Sequence, residues 1–230
     1  MKIRIKFSKH GVMKFIGHLD IMRYFQKAIR RAEIPIRFTE GFSPHMVMSF
    51  ASPLGVGLTS DGEYMDIEVN ETISSKEAVR RLNQVMVEGM QVLSYRKIPE
   101  GKASNAMSLV AFADYTVTFR EGKEPCTGWK ERLSGFASLP AILILKKRKK
   151  SEKEVDIRPM IQELHLQENG KIFMRLSSGS ASNLKPELVM EAFTAYLGSE
   201  QEPYSLLVNR VDLYDEHMIS LEELGEEIGE

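Results

Sequence analysis

The residues best able to do chemistry lie between positions 17 and 66, in GHLDIMRYFQKAIRRAEIPIRFTEGFSPHMVMSFASPLGVGLTSDGEYMD. Two of the five histidines, His18 and His45, belong to this stretch. His18 with Asp20 can make a His–carboxylate pair, and His45 can join them as general acid, base or ligand. Each is also open to the simpler reading of a surface or hydrogen-bonding histidine. No HExxH, HxH or Cys/His spacing accompanies them, so no metal is expected. A second constellation is cationic. Arg23, Lys27, Arg30 and Arg31 recur at helical spacing along one side, away from the apolar positions. The planar guanidinium fork suits phosphate, and such a stripe on a small sheet-and-helix domain is a footprint for nucleic acid. The alternative is a solvated helix face, with Arg30 or Arg31 pairing to Glu33 or Glu40.

The loop TEGFSPH at 39–45 adds to this. Gly41 permits a positive-φ turn, Pro44 stiffens the exit, and Phe42 is an aromatic beside several cations. An exposed Phe42 can stack a base; a Phe42 tucked into the core cannot. Gly55, Gly57 and Gly62 form neither GxGxxG nor GxxxxGK[ST], which argues against nucleoside triphosphates, and no cofactor is expected. Elsewhere, a basic run at 146–150 could touch a nucleic-acid backbone if it forms a hairpin tip. The SSGSAS run at 177–182 precedes a helix and could hold an anion there.

These groups need elements to position them. Residues 2–8 alternate, with Ile3, Ile5 and Phe7 on one face and Lys2, Arg4 and Lys6 on the other, as in a half-buried strand. Ile21, Met22, Phe25, Ala28, Ile29 and Ala32 give a helix an apolar face, and Pro35 stops it. Asp20 stands at that helix's first turn or N-cap. Residues 36–39 and 47–51 are extended, 64–69 alternates, and Ser74 or Ser75 caps a second helix running to about Met86. Gly89 closes it, and 90–98 reads as a strand. That is the βαββαβ order of a ferredoxin-like unit.

From 114 the order repeats. A strand at 114–120 and a helix at 127–136 come first. Strands follow at 141–145 and 155–161, then a hairpin turning at Asn169-Gly170. A helix starts at Pro186 and a last strand covers 206–213. The expectation is therefore α+β, with two tandem ferredoxin-like (βαββαβ) domains with antiparallel sheets. Their bounds are 1–100 and 101–214, with an acidic tail at 215–230.

Composition sets limits on the function. With 43% hydrophobic and 27% charged residues, the chain falls among ordinary globular proteins. No apolar run approaches the roughly 20 residues of a membrane span, and the first residues alternate rather than forming a signal-peptide core. One cysteine, Cys126, excludes a disulfide framework and a Cys-rich cluster. A cytoplasmic location without membrane contact is expected. Charge is uneven: residues 1–50 hold ten Lys and Arg against three Asp and Glu, and no Lys or Arg follows Arg210. A basic binding face and an acidic tail are the expectation.

GHLD at 17–20, RRA at 30–32, Pro35, GFSPH at 41–45, SFASPLGVG at 49–57 and GEYMD at 62–66 resemble the radical-SAM-linked protein family. The likeness is dense over residues 1–70 and thinner to about 213, as at VDIRP, 155–159. Asp20, Glu40, Gly41, Pro44, Ser49, Glu63 and Asp66 are the candidate residues of these motifs. The family's domain occurs alone or fused behind a radical S-adenosylmethionine domain, and the resemblance implies no established activity. The CxxxCxxC motif of the radical enzyme is absent, so this chain could act with such an enzyme only in trans. The leading expectation is an RNA-binding accessory protein, presenting tRNA or rRNA to a separate radical SAM modification enzyme. The alternatives are a metal-independent endoribonuclease with His18 or His45 as acid/base, resembling CRISPR repeat-processing proteins in element order, and a non-catalytic partner subunit.

Overall fold

The structure, a computed structural model, describes residues 1–101, 104–148, 151–180 and 182–229, with the backbone alone at 146–148, 151 and 152. In chain order its elements are β1 (Lys2–Lys9), α1 (His18–Arg31), β2 (Met48–Phe50), β3 (Thr59–Glu68), α2 (Ser75–Val85) and β4 (Met90–Ile98). Then come α3 (Ala106–Leu109), β5 (Phe112–Phe119), α4 (Trp129–Ala137), β6 (Leu143–Arg148) and β7 (Ser151–Asp156). The chain continues through β8 (Ile161–Leu166), β9 (Ile172–Ser177), α5 (Pro186–Tyr196), β10 (Leu206–Tyr214) and β11 (Glu226–Glu227). The fold is mixed α+β with mostly antiparallel strands. It divides into two compact units: Met1–Ala111 with Arg210–Glu230, and Phe112–Asn209.

The first unit is built on the alternation of β1. Its strand order is β11-β4-β1-β3, and β2 and the Arg210–Tyr214 end of β10 share the far edge of β3. β1 pairs antiparallel with both β3 and β4, so Ile3 faces Ile67, Ile5 faces Met65 and Phe7 faces Glu63. On that face Ile21, Phe25 and Ile29 of α1 and Ala78 and Leu82 of α2 close the core. Phe25 is fully enclosed, its ring centre 4.6 Å from that of Phe7 and 6.0 Å from that of Phe50. Burying each such side chain contributes about 1.5–3 kcal/mol. α1 begins after Gly17 with Asp20 in its first turn, and Arg30 and Arg31 sit in the last turn, where cations suit the carbonyl end. Glu33 in the left-handed region (φ 53°) ends it, before Pro35 is reached. Ser74 caps α2 by accepting the backbone N–H of Glu77, whose carboxylate binds Arg80 and Arg81 and is thereby lowered to about 2.

The opposite face of β1 is not solvated as an alternating strand would suggest. Arg4 is 2% exposed, and the segment after β10 lies over this face, with Leu221 fully buried. The expected acidic tail at 215–230 therefore belongs to the first unit. β11 pairs with β4, Ile228 packs against the core, and Lys6 and Arg96 attract the carboxylates of Glu222 and Glu227. One cation of the basic end, Lys6, thereby meets carboxylates of the acidic end, Asp212 and Glu222. The boundary between units also falls at 111/112 rather than 100/101.

Lys6 and Glu222, 2.9 Å apart, give this closure a pH dependence. Burial alone would lower the Lys6 ammonium, but Asp212 and Glu222 outweigh it and raise its pKa. Burial alone would raise Glu222, but Lys6 outweighs it and lowers its pKa. A depressed carboxyl stabilises the fold above its ordinary range and loses that contribution as pH falls through its folded value. The raised lysine contributes below its ordinary 10.5 and loses its contribution as pH rises through its folded value. Glu222→Gln should therefore cost about 0.5–1 kcal/mol in urea unfolding at pH 7, discounted for partial exposure. That difference should shrink as pH falls below the ordinary 4.5 of a glutamate and vanish once the folded carboxyl is protonated; a cost independent of pH would contradict the pairing.

In the second unit the strand order is β10-β5-β9-β8, with β6 and β7 as a separate hairpin. β8 and β9 turn at Asn169-Gly170 as their sequence requires, Gly170 having φ 78° and the Asn169 side chain accepting from Lys171 N–H. The extended stretch expected at 155–161 instead splits: β7 ends at Asp156, a short 3₁₀ turn covers Arg158–Met160, and β8 begins at Ile161. Asp156 holds that break by accepting the N–H groups of Ile142 and Arg158. Trp129, Phe119, Phe136 and Phe193 form the aromatic core, with ring centres 5.1–6.4 Å apart.

Candidate functional site

The motif-rich stretch separates into two kinds of residue. Those in β3 are structural. Gly62 is buried where a Cβ would lie 2.6 Å from the Val211 carbonyl oxygen and 2.9 Å from Asp212 Cα, so only glycine lets these backbones meet. Glu63 is paired with buried Arg210, which also donates to the Ser52 carbonyl at 2.6 Å. Tyr64 donates to Asp212 at 2.5 Å, and Asp212 also accepts from Lys6 and Ser220. Burial and the Asp212 carboxylate push the Tyr64 phenol far above its ordinary range. Asp66 binds Arg4 through two hydrogen bonds of 2.9 and 3.1 Å, and Ser49 stands opposite it in β2.

The other kind is exposed. Arg23, Lys27, Arg30 and Arg31 all project from the outer side of α1. Arg23 is paired with Asp20 at 3.2 Å, but among the described residues no carboxylate pairs with Lys27, Arg30 or Arg31. This distinguishes them from Arg4 and Lys6, whose charges are spent inside the fold, and from Arg37, 3.1 Å from Glu68. Glu40, Gly41, Phe42 and Pro44 make an exposed loop, with Gly41 at φ 110° and Phe42 wholly in solvent. Phe42 is thus not a core residue.

The two histidines lie in different surroundings. His45 is exposed; its Nδ1 is 3.1 Å from Thr39 Oγ1, and its backbone N–H donates to the same hydroxyl. His18 is half-buried, edge-on to Phe50 with ring centres 5.2 Å apart. Asp20 faces Arg23 rather than His18. His18 borders a narrow pocket with Lys9 and Glu63, walled by Phe7, Phe50 and Leu54; His45 is not among its lining residues.

Lys9 went unremarked in the sequence, although a signal was present. Ile3, Ile5 and Phe7 mark the buried face of β1, and one more step of two lands on Lys9. It is 3% exposed, and its side chain makes no hydrogen bond or ion pair among the described residues. Burial lowers its pKa, opposed by nearby Glu63. No group of three or more His, Cys, Asp or Glu among the described residues could hold a metal ion. No helix there is long and apolar enough to cross a membrane.

Fold and site together define a mixed α+β protein with a free cationic helix face and, beside that helix's start, a pocket holding an unpaired lysine. The chain belongs to the family described as "Uncharacterized protein conserved in bacteria (DUF2344)", which matches residues 2–186. No curated protein matches it.

Proposed function

We propose that this is an RNA-binding accessory protein whose contact surface is the outer face of α1 together with the loop at 40–45. The observation that carries this reading is the set of exposed cations without carboxylate partners among the described residues: Lys27, Arg30 and Arg31, with Arg23 beside them. Cations free of internal partners can neutralise phosphates without first breaking an ion pair, and solvent-exposed Phe42 supplies a stacking surface. In the sharper form of the proposal, the RNA is tRNA or rRNA and is presented to a separate radical SAM enzyme acting in trans. That part rests on the family resemblance of the 17–66 motifs. We read each unit as ferredoxin-like. The order β4-β1-β3-β2 in the first and β10-β5-β9-β8 in the second both support that assignment.

His18 borders a pocket that His45 does not line, which favours binding over a two-histidine cleavage site. Filter binding of bulk tRNA tests the proposal. Lys27→Ala/Arg30→Ala/Arg31→Ala should weaken binding uniformly and lower the salt slope by about 2–3, at roughly 0.7–0.9 per lost phosphate contact. An unchanged slope, or no binding by the parent chain at low salt, would overturn it. RNA cut in EDTA, with cutting lost in His45→Ala, would replace it with the nuclease reading.

A further inference from the structure

Lys9 needs an explanation that the fold does not supply. It is 3% exposed and its side chain has no hydrogen-bond or ion-pair partner among the described residues, whereas burial of a charged side chain normally comes with pairing. Glu63 acts on Lys9 through space but is itself held by Arg210, so these three groups leave one net positive charge at the pocket. Three further features converge there. His18, whose ring makes no hydrogen bond among the described residues, borders the same space as a ready donor. The first turn of α1, a helix of 14 residues, opens beside it through Ile16, His18 and Ile21, and no side chain caps that turn. The remaining walls are apolar, including Phe7, Phe50 and Leu54.

We propose that Lys9, His18 and the opening turn of α1 form a binding site for a small monocarboxylate, one oxygen of which enters the pocket against the Lys9 ammonium. Charge selects this class among oxyanions. The pocket has room for about one water-sized group, which a single carboxylate oxygen fills. One unpaired cation balances one negative charge, whereas a phosphate dianion in the same apolar surroundings would remain under-neutralised. The apolar rim accommodates a short hydrocarbon tail. His18 then serves as a second donor rather than as an acid or base. This site goes beyond the RNA-binding surface and does not depend on it.

The test uses the full chain with 13C-labelled lysine ε-carbons, observed by NMR during titration with acetate, butyrate and inorganic phosphate. In the free protein the Lys9 signal should titrate below the surface lysines. Butyrate should move that titration upward, because a bound carboxylate favours the charged amine. Lys9→Met should fold, since it replaces an unpaired buried charge by an apolar group of similar length. It should bind butyrate at least about tenfold more weakly, as loss of a charge-assisted hydrogen bond implies. The proposal fails if Lys9 responds to butyrate no more than the surface lysines do, or if Lys9→Met binds it as tightly as the parent. It also fails if phosphate perturbs Lys9 as strongly as butyrate. No RNA enters the experiment, so its failure and that of the RNA-binding reading are separable.

Discussion

Asp66→Ala should unfold at a much lower urea concentration than the parent chain, with a loss of about 3–5 kcal/mol. The cause is what it leaves behind. Arg4 is 2% exposed and gives two hydrogen bonds to Asp66, with further ones to the carbonyls of Leu221 and Ser104 at 3.2 and 2.7 Å. Without Asp66 its charge stays buried, opposed only by carbonyl dipoles, and the N–H of Ala106 loses its acceptor as well. The double variant Arg4→Met/Asp66→Leu is the control. It removes both charges together and should lose less than Asp66→Ala alone. Equal losses would mean that packing, not charge, dominates this position. Because Arg4 also reaches Leu221, Asp66→Ala should loosen the 215–230 segment, which hydrogen exchange at Leu221 and Glu223 would register.

Phe25→Ala should cost a similar amount, about 3–5 kcal/mol, by a different route. Its ring is fully enclosed and meets those of Phe7, Tyr24 and Phe50 at centre distances of 4.6, 5.6 and 6.0 Å. Truncation removes both the burial and the edge contacts, and a sheet on one side and a helix backbone on the other limit collapse into the void. Thermal and urea unfolding would measure it. A loss below about 1.5 kcal/mol would mean that the site repacks freely. Since Phe50 also supports His18, the variant should alter the His18 ring environment by NMR while leaving His45 unmoved.

Much of the site's framework was readable in advance. The apolar positions from Ile21 to Ala32 place α1 and put Arg23, Lys27, Arg30 and Arg31 outside; Ser74 and Gly89 bracket α2; Asn169-Gly170 turns a hairpin. Phe42 was open to two readings, and exposure decides between them. Glu63 and Asp66 stood out as motif residues, but their identity gave no hint that they hold Arg210 and Arg4 inside the fold. His18 and His45 looked alike as candidates, and their surroundings differ.

The difference follows from how far along the chain each property reaches. Helices, strands and turns are set by residues within a few positions of one another, so spacing and backbone preference in the sequence were enough to place most of them. The fate of a charge is not local. Arg4 finds Asp66 62 residues away and Leu221 217 residues away, Arg210 finds Glu63 147 residues away, and Lys6 is met by Glu222 from the far end of the chain. Only chain closure determines which cations are consumed in the interior and which, like Lys27, Arg30 and Arg31, remain free to meet a phosphate. It also leaves Lys9 buried on the core face of β1 with no carboxylate of its own among the described residues.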